Sequence, residues 1–417
     1  MSSVDPPAEP RRAAVLFIFV TVLLDILALG LIIPVLPLLI QDFRGGDTAY
    51  AARTIGVFGA VWAGVQFFAA PVLGSLSDRF GRRPVILLSN FGLALDYVLM
   101  AVAPSLTWLF LGRVLSGITS ASIPTAYAYV ADVTAAERRA RAYGLLGAAF
   151  GVGFIVGPAV GGLLGQWGPR TPFWVAAGLS FANAMYGLFV LPESLPAGRR
   201  AAFSWRRANP LGSLAFLRAE RNVRGFAVLH FLYQLAHQSL QSVFVLYTGY
   251  RYGWQSVQVG WSLAAMGVCS VTVQGGLVGP IVSRLGERRT LLTGLVAGTI
   301  GFTIYALAPT SGVFIIGIPL MALWGLYGPA SQGLVTRHVS PTEQGRLQGA
   351  LASVAMTTGL VGPVLFTQVF SAFIGPRRAA PLPGAPYLLA AVLLVVAVAV
   401  AVRVARPPVE APTPFGV

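Results

Sequence analysis

The chain has 417 residues, 56% apolar and only 10% charged, a balance that excludes a water-soluble globule. Its net charge of +15 comes from 29 basic residues, every one an arginine, against 14 acidic ones. Without lysine there is no Walker A phosphate ligand and no Schiff base, and a single cysteine, Cys269, permits no intramolecular disulfide.

The first dozen residues are polar and proline-rich and end in Arg11-Arg12. The apolar run behind them exceeds a signal-peptide core and lacks a convincing cleavage site, so it reads as a retained first span. Apolar stretches predict helical spans over 14–40, 53–74, 84–103, 105–131, 139–165 and 171–192. A linker over 193–221 follows, then spans over 222–249, 257–282, 289–308, 310–337, 345–373 and 382–403. The expected fold is an all-α membrane protein of twelve transmembrane helices. Its N-terminal six-helix bundle covers 1–192 and its C-terminal bundle 222–417, the two being pseudo-symmetric.

That symmetry is read from a repeat at an offset of 205 residues. Gly74, Arg79, Gly81 and Arg83, after the second span, match Gly279, Arg284, Gly286 and Arg288, after the eighth. Gly157-Pro158 matches Gly362-Pro363, and Arg141 and Gly144 match Arg346 and Gly349. Two homologous membrane halves around a central site is a transporter's plan. With the N-terminus inside, 22 arginines fall on the cytoplasmic side and six outside, which sets both termini in the cytoplasm. Positive charge spread over so many segments is a topology signal and excludes a nucleic-acid face. The linker arginines are expected to rest on anionic lipid.

Ionisable groups at span centres cost about 2.5–3.5 kcal/mol each on insertion scales, so each needs a reason. Asp25 in span 1, Asp96 in span 3 and Arg113 in span 4 all fall near the midplane. Asp25 lies roughly 17 Å along its helix from the cytoplasmic end. It precedes Pro34 and Pro37, which bend a helix that must move. A carboxyl there can take a proton from one side and release it to the other, with Arg113 tuning it and Asp96 as partner. Asp96 and Arg113, neighbours across a short hairpin, read equally well as a structural ion pair.

Three further groups stand out. The loop Gly74 to Arg83 places Asp78 to hold a helix N-terminus of the opposite half, while its arginines grip acids at span ends, Asp132 among them. Gly74, Asp78, Arg79, Gly81, Arg82, Arg83 and Asp132 are therefore candidate gate residues. Span 7 carries Gln234, Gln238 and Gln241 on one face beside His237. These, with Gln274, are candidate substrate contacts, or equally interhelical hydrogen bonds. The glycines of span 5, from Gly147 to Gly165, are explained by close helix packing alone.

Gly74 to Arg83, Leu111-Gly112-Arg113-Val114-Leu115-Ser116-Gly117, and Gly153 to Gly162 resemble signatures of the major facilitator superfamily and its drug–proton antiporters. Leu24-Asp25 through Gly30-Leu31-Ile32-Ile33-Pro34-Val35-Leu36-Pro37, and Leu95-Asp96-Tyr97, are similar to bacterial tetracycline efflux antiporters. So are Tyr252-Gly253-Trp254 and Gly286-Glu287-Arg288. The resemblance implies proton-driven export through the inner membrane, with Asp25, Asp78, Arg82, Asp96 and Arg113 matching residues important in that family. The chain departs from it in two places. Gly298 stands where those pumps carry a span-9 acid, and Ser270 where some carry a span-8 histidine.

The expected function is proton-coupled efflux of an amphipathic small molecule, tetracycline-type or multidrug, by a monomer in the bacterial inner membrane. Proton-coupled metabolite transport is the alternative. Its partners are substrate, protons and the bilayer; no cofactor or metal is expected. With three histidines, one cysteine and no lysine, no catalytic constellation supports an enzyme.

Overall fold

The computed structural model describes residues 12–203, 221–337, 339, 343–375 and 381–404. Arg11, Arg377, Arg378, Arg406 and the arginines expected to meet lipid between 204 and 220 lie outside them. Among the described residues regular structure is entirely helical: α1 (Arg12–Ile32), α2 (Leu36–Asp42), α3 (Thr48–Phe80), α4 (Arg82–Val102), α5 (Leu106–Thr119), α6 (Ser122–Val133), α7 (Ala136–Leu164) and α8 (Thr171–Phe189). After the linker come α9 (Arg221–Tyr252), α10 (Ser256–Thr272), α11 (Val278–Leu307), α12 (Ser311–Ala322), α13 (Tyr327–Thr336), α14 (Gln344–Ile374) and α15 (Ala385–Val404).

Nine stretches of the described residues are long and apolar enough to cross a membrane. One runs 52 residues from Ser256 to Leu307, about 78 Å as a helix and too long for one crossing. It is interrupted at Gly286, whose φ of 76° is non-helical. The spans expected over 171–192 and 222–249 coincide with α8 and α9 but are not among the nine. Asn183 in α8, and the glutamines and His237 in α9, lower their hydropathy.

Several helices break where the sequence gives the backbone a reason. α1 stops before Pro34, and α2 restarts with Pro37 in its first turn. The fourth expected span divides into α5 and α6 at Ser120-Ala121, where Gln66 Nε2 donates to the freed Ser120 carbonyl at 3.4 Å. A π-helical turn, Val273–Leu277, separates α10 from α11, and a 3₁₀ turn, Leu323–Leu326, separates α12 from α13. Irregular backbone at membrane depth persists only where protein or a cavity satisfies it. The 205-residue offset recurs in the backbone: Gly81 and Gly286 both take positive φ, and Ser120 matches Gly325 inside the 3₁₀ turn.

Two compact units form by contact. The first contains 1–210 together with 239–268 and 359–386; the second contains 211–238, 269–358 and 387–417. In the first, α1 lies along α7 and α8, α4 packs on α8, and α3 and α4 pack on α5. The glycines of α7 make this possible. A Cβ on Gly157 would come within 2.8 Å of Gly30 Cα, and one on Gly153 within 2.5 Å of Ile26 Cγ2. The neighbouring face of α7 meets α10, where Ser256 Oγ donates to the Gly162 carbonyl at 3.0 Å and Gly260 lies on Pro158. At the start of α3, Arg53 donates to Ser371 Oγ at 2.9 Å, and Gly56 leaves room for Thr367. The second unit has an aromatic core in which Tyr305 stacks on Phe314 at 4.1 Å and Phe302 meets Trp324 at 5.2 Å.

This packing predicts a graded result. Gly157→Ala forces backbone apart and should cost about 1–3 kcal/mol. Gly144→Ala, where nothing lies within 4 Å, should cost nothing. Thermal unfolding of the detergent-purified variants checks both.

Candidate functional site

Asp25 sits mid-way along α1 and is 4% exposed. Its Oδ1 accepts from Asn183 Nδ2 of α8 at 2.9 Å, and the same amide donates to the Thr21 carbonyl one turn earlier, also at 2.9 Å. Asp25 Oδ2 and Asn183 Oδ1 are buried without a hydrogen-bond partner. Neutral groups, the Asn183 amide and the Ser122 hydroxyl, thus face this carboxylate in place of a cation. Asn183 was missed in the sequence, though a lone asparagine in an apolar helix is the signal that could have found it.

Arg113 pairs instead with Asp96. Its Nη2 lies 3.2 Å from Asp96 Oδ2 and 3.6 Å from Met100 Sδ, with Asp96 fully buried. A Cβ on Gly112 would come within 2.6 Å of Asp96 Oδ1, so glycine there keeps space beside the carboxylate. Asp96 Oδ1 and Arg113 Nε have no hydrogen-bond partner.

The loop between α3 and α4 turns at Gly81 with φ 108°, where a Cβ would overlap the Glu193 carboxylate. Glu193, just past α8, accepts from the backbone N–H of Arg82 at 2.9 Å, of Arg83 at 3.2 Å and of Leu195 at 2.9 Å. It therefore caps α4 and opposes the positive end of that helix. Arg82 bridges Asp78 at 2.6 Å and Asp132 at 3.0 Å and donates to Ser77 Oγ at 2.7 Å, while Ser194 Oγ also donates to Asp132. The expected grip of a loop arginine on Asp132 is present. Asp78, expected to hold a helix N-terminus, is bound to Arg82. Arg83 donates to the Gly187 and Leu188 carbonyls at the end of α8. Arg79 lies 5.1 Å from the Phe80 ring centroid, and nothing crowds Gly74. Glu193→Gln keeps one acceptor but loses the charge. It should destabilise the fold by about 1–2 kcal/mol, read as a lower unfolding midpoint.

Of the candidate substrate contacts, Gln234, His237, Gln238 and Gln274 lie in the second unit and Gln241 in the first. The His237 ring is 5.6 Å from Trp324, and Tyr233 stacks on Tyr327 at 3.9 Å. Gln274 projects from the π turn, donates to Ser270 Oγ at 2.8 Å and lies beside Gly325 in the 3₁₀ turn. Gly298 has no room for an acid: a Cβ there would come within 2.6 Å of Trp324 Cδ1 and 2.9 Å of Leu394 Cδ1. Trp324 and Tyr327, both buried, join this face from 3₁₀ and helical backbone that no apolar periodicity announces. Among the described residues no three of His, Cys, Asp or Glu converge as a metal site.

Comparison with known proteins fits this geometry. The tetracycline resistance protein, class C, of Escherichia coli is 38% identical over 359 residues, 86% of this chain and 90% of that protein. The class B protein of the same organism is 36% identical over 84% of this chain and 87% of its own length. The crystal structure of nucleoside transporter NupG superposes with a TM-score of 0.75 at 16% identity, covering 94% of this chain and 98% of that one. A family model described as Major Facilitator Superfamily matches residues 18–328 and 226–416. A chain of membrane-crossing helices with buried charge in their midst, matched along nearly its whole length, belongs to the major facilitator superfamily of transporters and is not an enzyme.

Proposed function

We propose that this protein is a proton-coupled efflux antiporter for amphipathic small molecules of the tetracycline type. It works as a monomer of twelve helices in the bacterial inner membrane, with both termini cytoplasmic. Its two six-helix bundles, 1–192 and 222–417, are joined by the 193–221 linker. The recurrence of positive-φ glycines at 81 and 286 supports that division.

The observation that carries the reading is the Asp25 carboxylate, 4% exposed, whose hydrogen-bonding neighbours are the neutral Asn183 amide and Ser122 hydroxyl and not a cation. A membrane-buried acid with no cation beside it is suited to pass a proton from one aqueous face to the other. Asp25 is the proton carrier. The Asp96–Arg113 pair supports it as an internal charge pair of the first bundle that changes with hydration. Gly74, Asp78, Arg79, Gly81, Arg82, Arg83 and Asp132 form the gate. Gln234, His237, Gln238, Gln241 and Gln274 contact substrate, with the packed rings of Tyr233, Trp324 and Tyr327 behind His237 holding that face in place.

Everted vesicles holding an acid interior test it. Adding tetracycline should discharge the proton gradient in vesicles that contain the protein. A gradient that tetracycline leaves untouched would reject drug–proton antiport.

A further inference from the structure

The first unit's Arg82–Asp132 bridge has a counterpart in the second unit with its charges reversed. Glu287 Oε1 lies 2.8 Å from Arg337 Nη2. Glu287 stands 205 residues after Arg82, and Arg337 stands 205 after Asp132. Each bridge starts one residue after a glycine of matching backbone, φ 108° and ψ 163° at Gly81, φ 76° and ψ 162° at Gly286. Each ends where the second piece of a broken span runs out, α6 at Val133 and α13 at Thr336. Gly333 makes the room, since a Cβ there would come within 2.5 Å of Glu287 Oε1.

The reversal has an electrostatic consequence. Arg82 begins α4 and Asp132 ends α6, so each charge opposes the dipole of its own helix. Their side chains are 11% and 17% exposed, and Asp78, Ser77 and Ser194 are recruited to hold them. Glu287 begins a helical segment and Arg337 closes one, so each charge agrees with its dipole. Glu287 and Arg337 are 19% and 67% exposed. The first clasp is therefore costly to part, because either charge left alone faces an unfavourable helix end. The second parts cheaply, because each charge keeps its favourable helix end when the bridge opens.

We propose that Glu287 and Arg337 are positioning residues for transport, a weak clasp that ties the turn after the π-broken helix to the end of α13 and opens during each cycle. This rests on the transport reading above. Neither residue touches substrate.

Hydrogen exchange and transport in the full-length protein test it together. Glu287→Gln and Arg337→Gln should each speed exchange about two- to fivefold at both 287–295 and 327–337, the range an exposed ion pair commands. Each should change turnover by a similar factor while tetracycline affinity stays unchanged. The double variant should be no more affected than either single, and Arg337→Lys should behave as wild type. Exchange unaffected by either substitution, or effects that add in the double variant, would overturn the clasp. Exchange that responds as expected in a protein that moves no drug would reject the transport reading and leave the clasp standing.

Discussion

Asp25→Asn is expected to abolish gradient-driven export while leaving the protein folded and able to bind drug. The substitution is nearly isosteric, and Asn183 Nδ2 can still donate to the carbonyl oxygen that replaces Oδ1. What disappears is the exchangeable proton. One pH unit is worth about 1.4 kcal/mol per proton, enough for a tenfold drug gradient in one-for-one exchange. The variant should therefore carry drug only downhill, with an accumulation ratio near unity at any pH difference. Vesicle uptake measured against an imposed pH gradient reads this, with binding to the purified protein as the control. Proton-driven accumulation that survives in Asp25→Asn would move the carrier role elsewhere.

The second large effect concerns Asp96. Removing its charge strands the Arg113 guanidinium among α4 and α5, and breaking a buried pair from one side costs about 3–5 kcal/mol. Asp96→Asn should therefore lose most folded protein, seen as a collapse in yield and in unfolding midpoint. The double variant Asp96→Asn with Arg113→Met removes both charges and should recover most of that stability. Transport by the stable double variant then separates two roles. If it still couples protons to drug, the pair is an internal brace. If it folds, binds drug and fails to couple, the pair belongs to the proton path beside Asp25.

Much of this site was legible in the sequence because its costs are local. A charge in an apolar run announces itself, and so Asp25, Asp96 and Arg113 stand out without coordinates. Asp96 and Arg113 lie 17 residues apart across a hairpin, so their pairing follows from helix length. Arg82 and Asp132 were also foreseeable, being opposite charges at span ends on the same side. The hidden partners come from far away. Asn183 lies 158 residues from Asp25, and Glu193 lies 111 from the Arg82 N–H that it caps. No local pattern ties such residues together. The Glu287–Arg337 bridge escaped for another reason: a search for repeats looks for identity, whereas here the geometry repeats with the charges exchanged. The π and 3₁₀ turns at 273–277 and 323–326 lie within apolar runs whose glycines loosen a helix without fixing which irregular turn replaces it. The spans expected over 171–192 and 222–249 are helical in the structure, although Asn183, the glutamines and His237 lower the hydropathy of α8 and α9.

All of this turns on whether drug and proton compete through one carboxyl. Proton release on drug binding measures that competition directly, with purified protein in weakly buffered solution near neutral pH. Tetracycline binding is expected to expel a proton from the wild-type protein and none from Asp25→Asn, although both bind the drug. Binding without proton release in the wild type, or equal release from the variant, would contradict it.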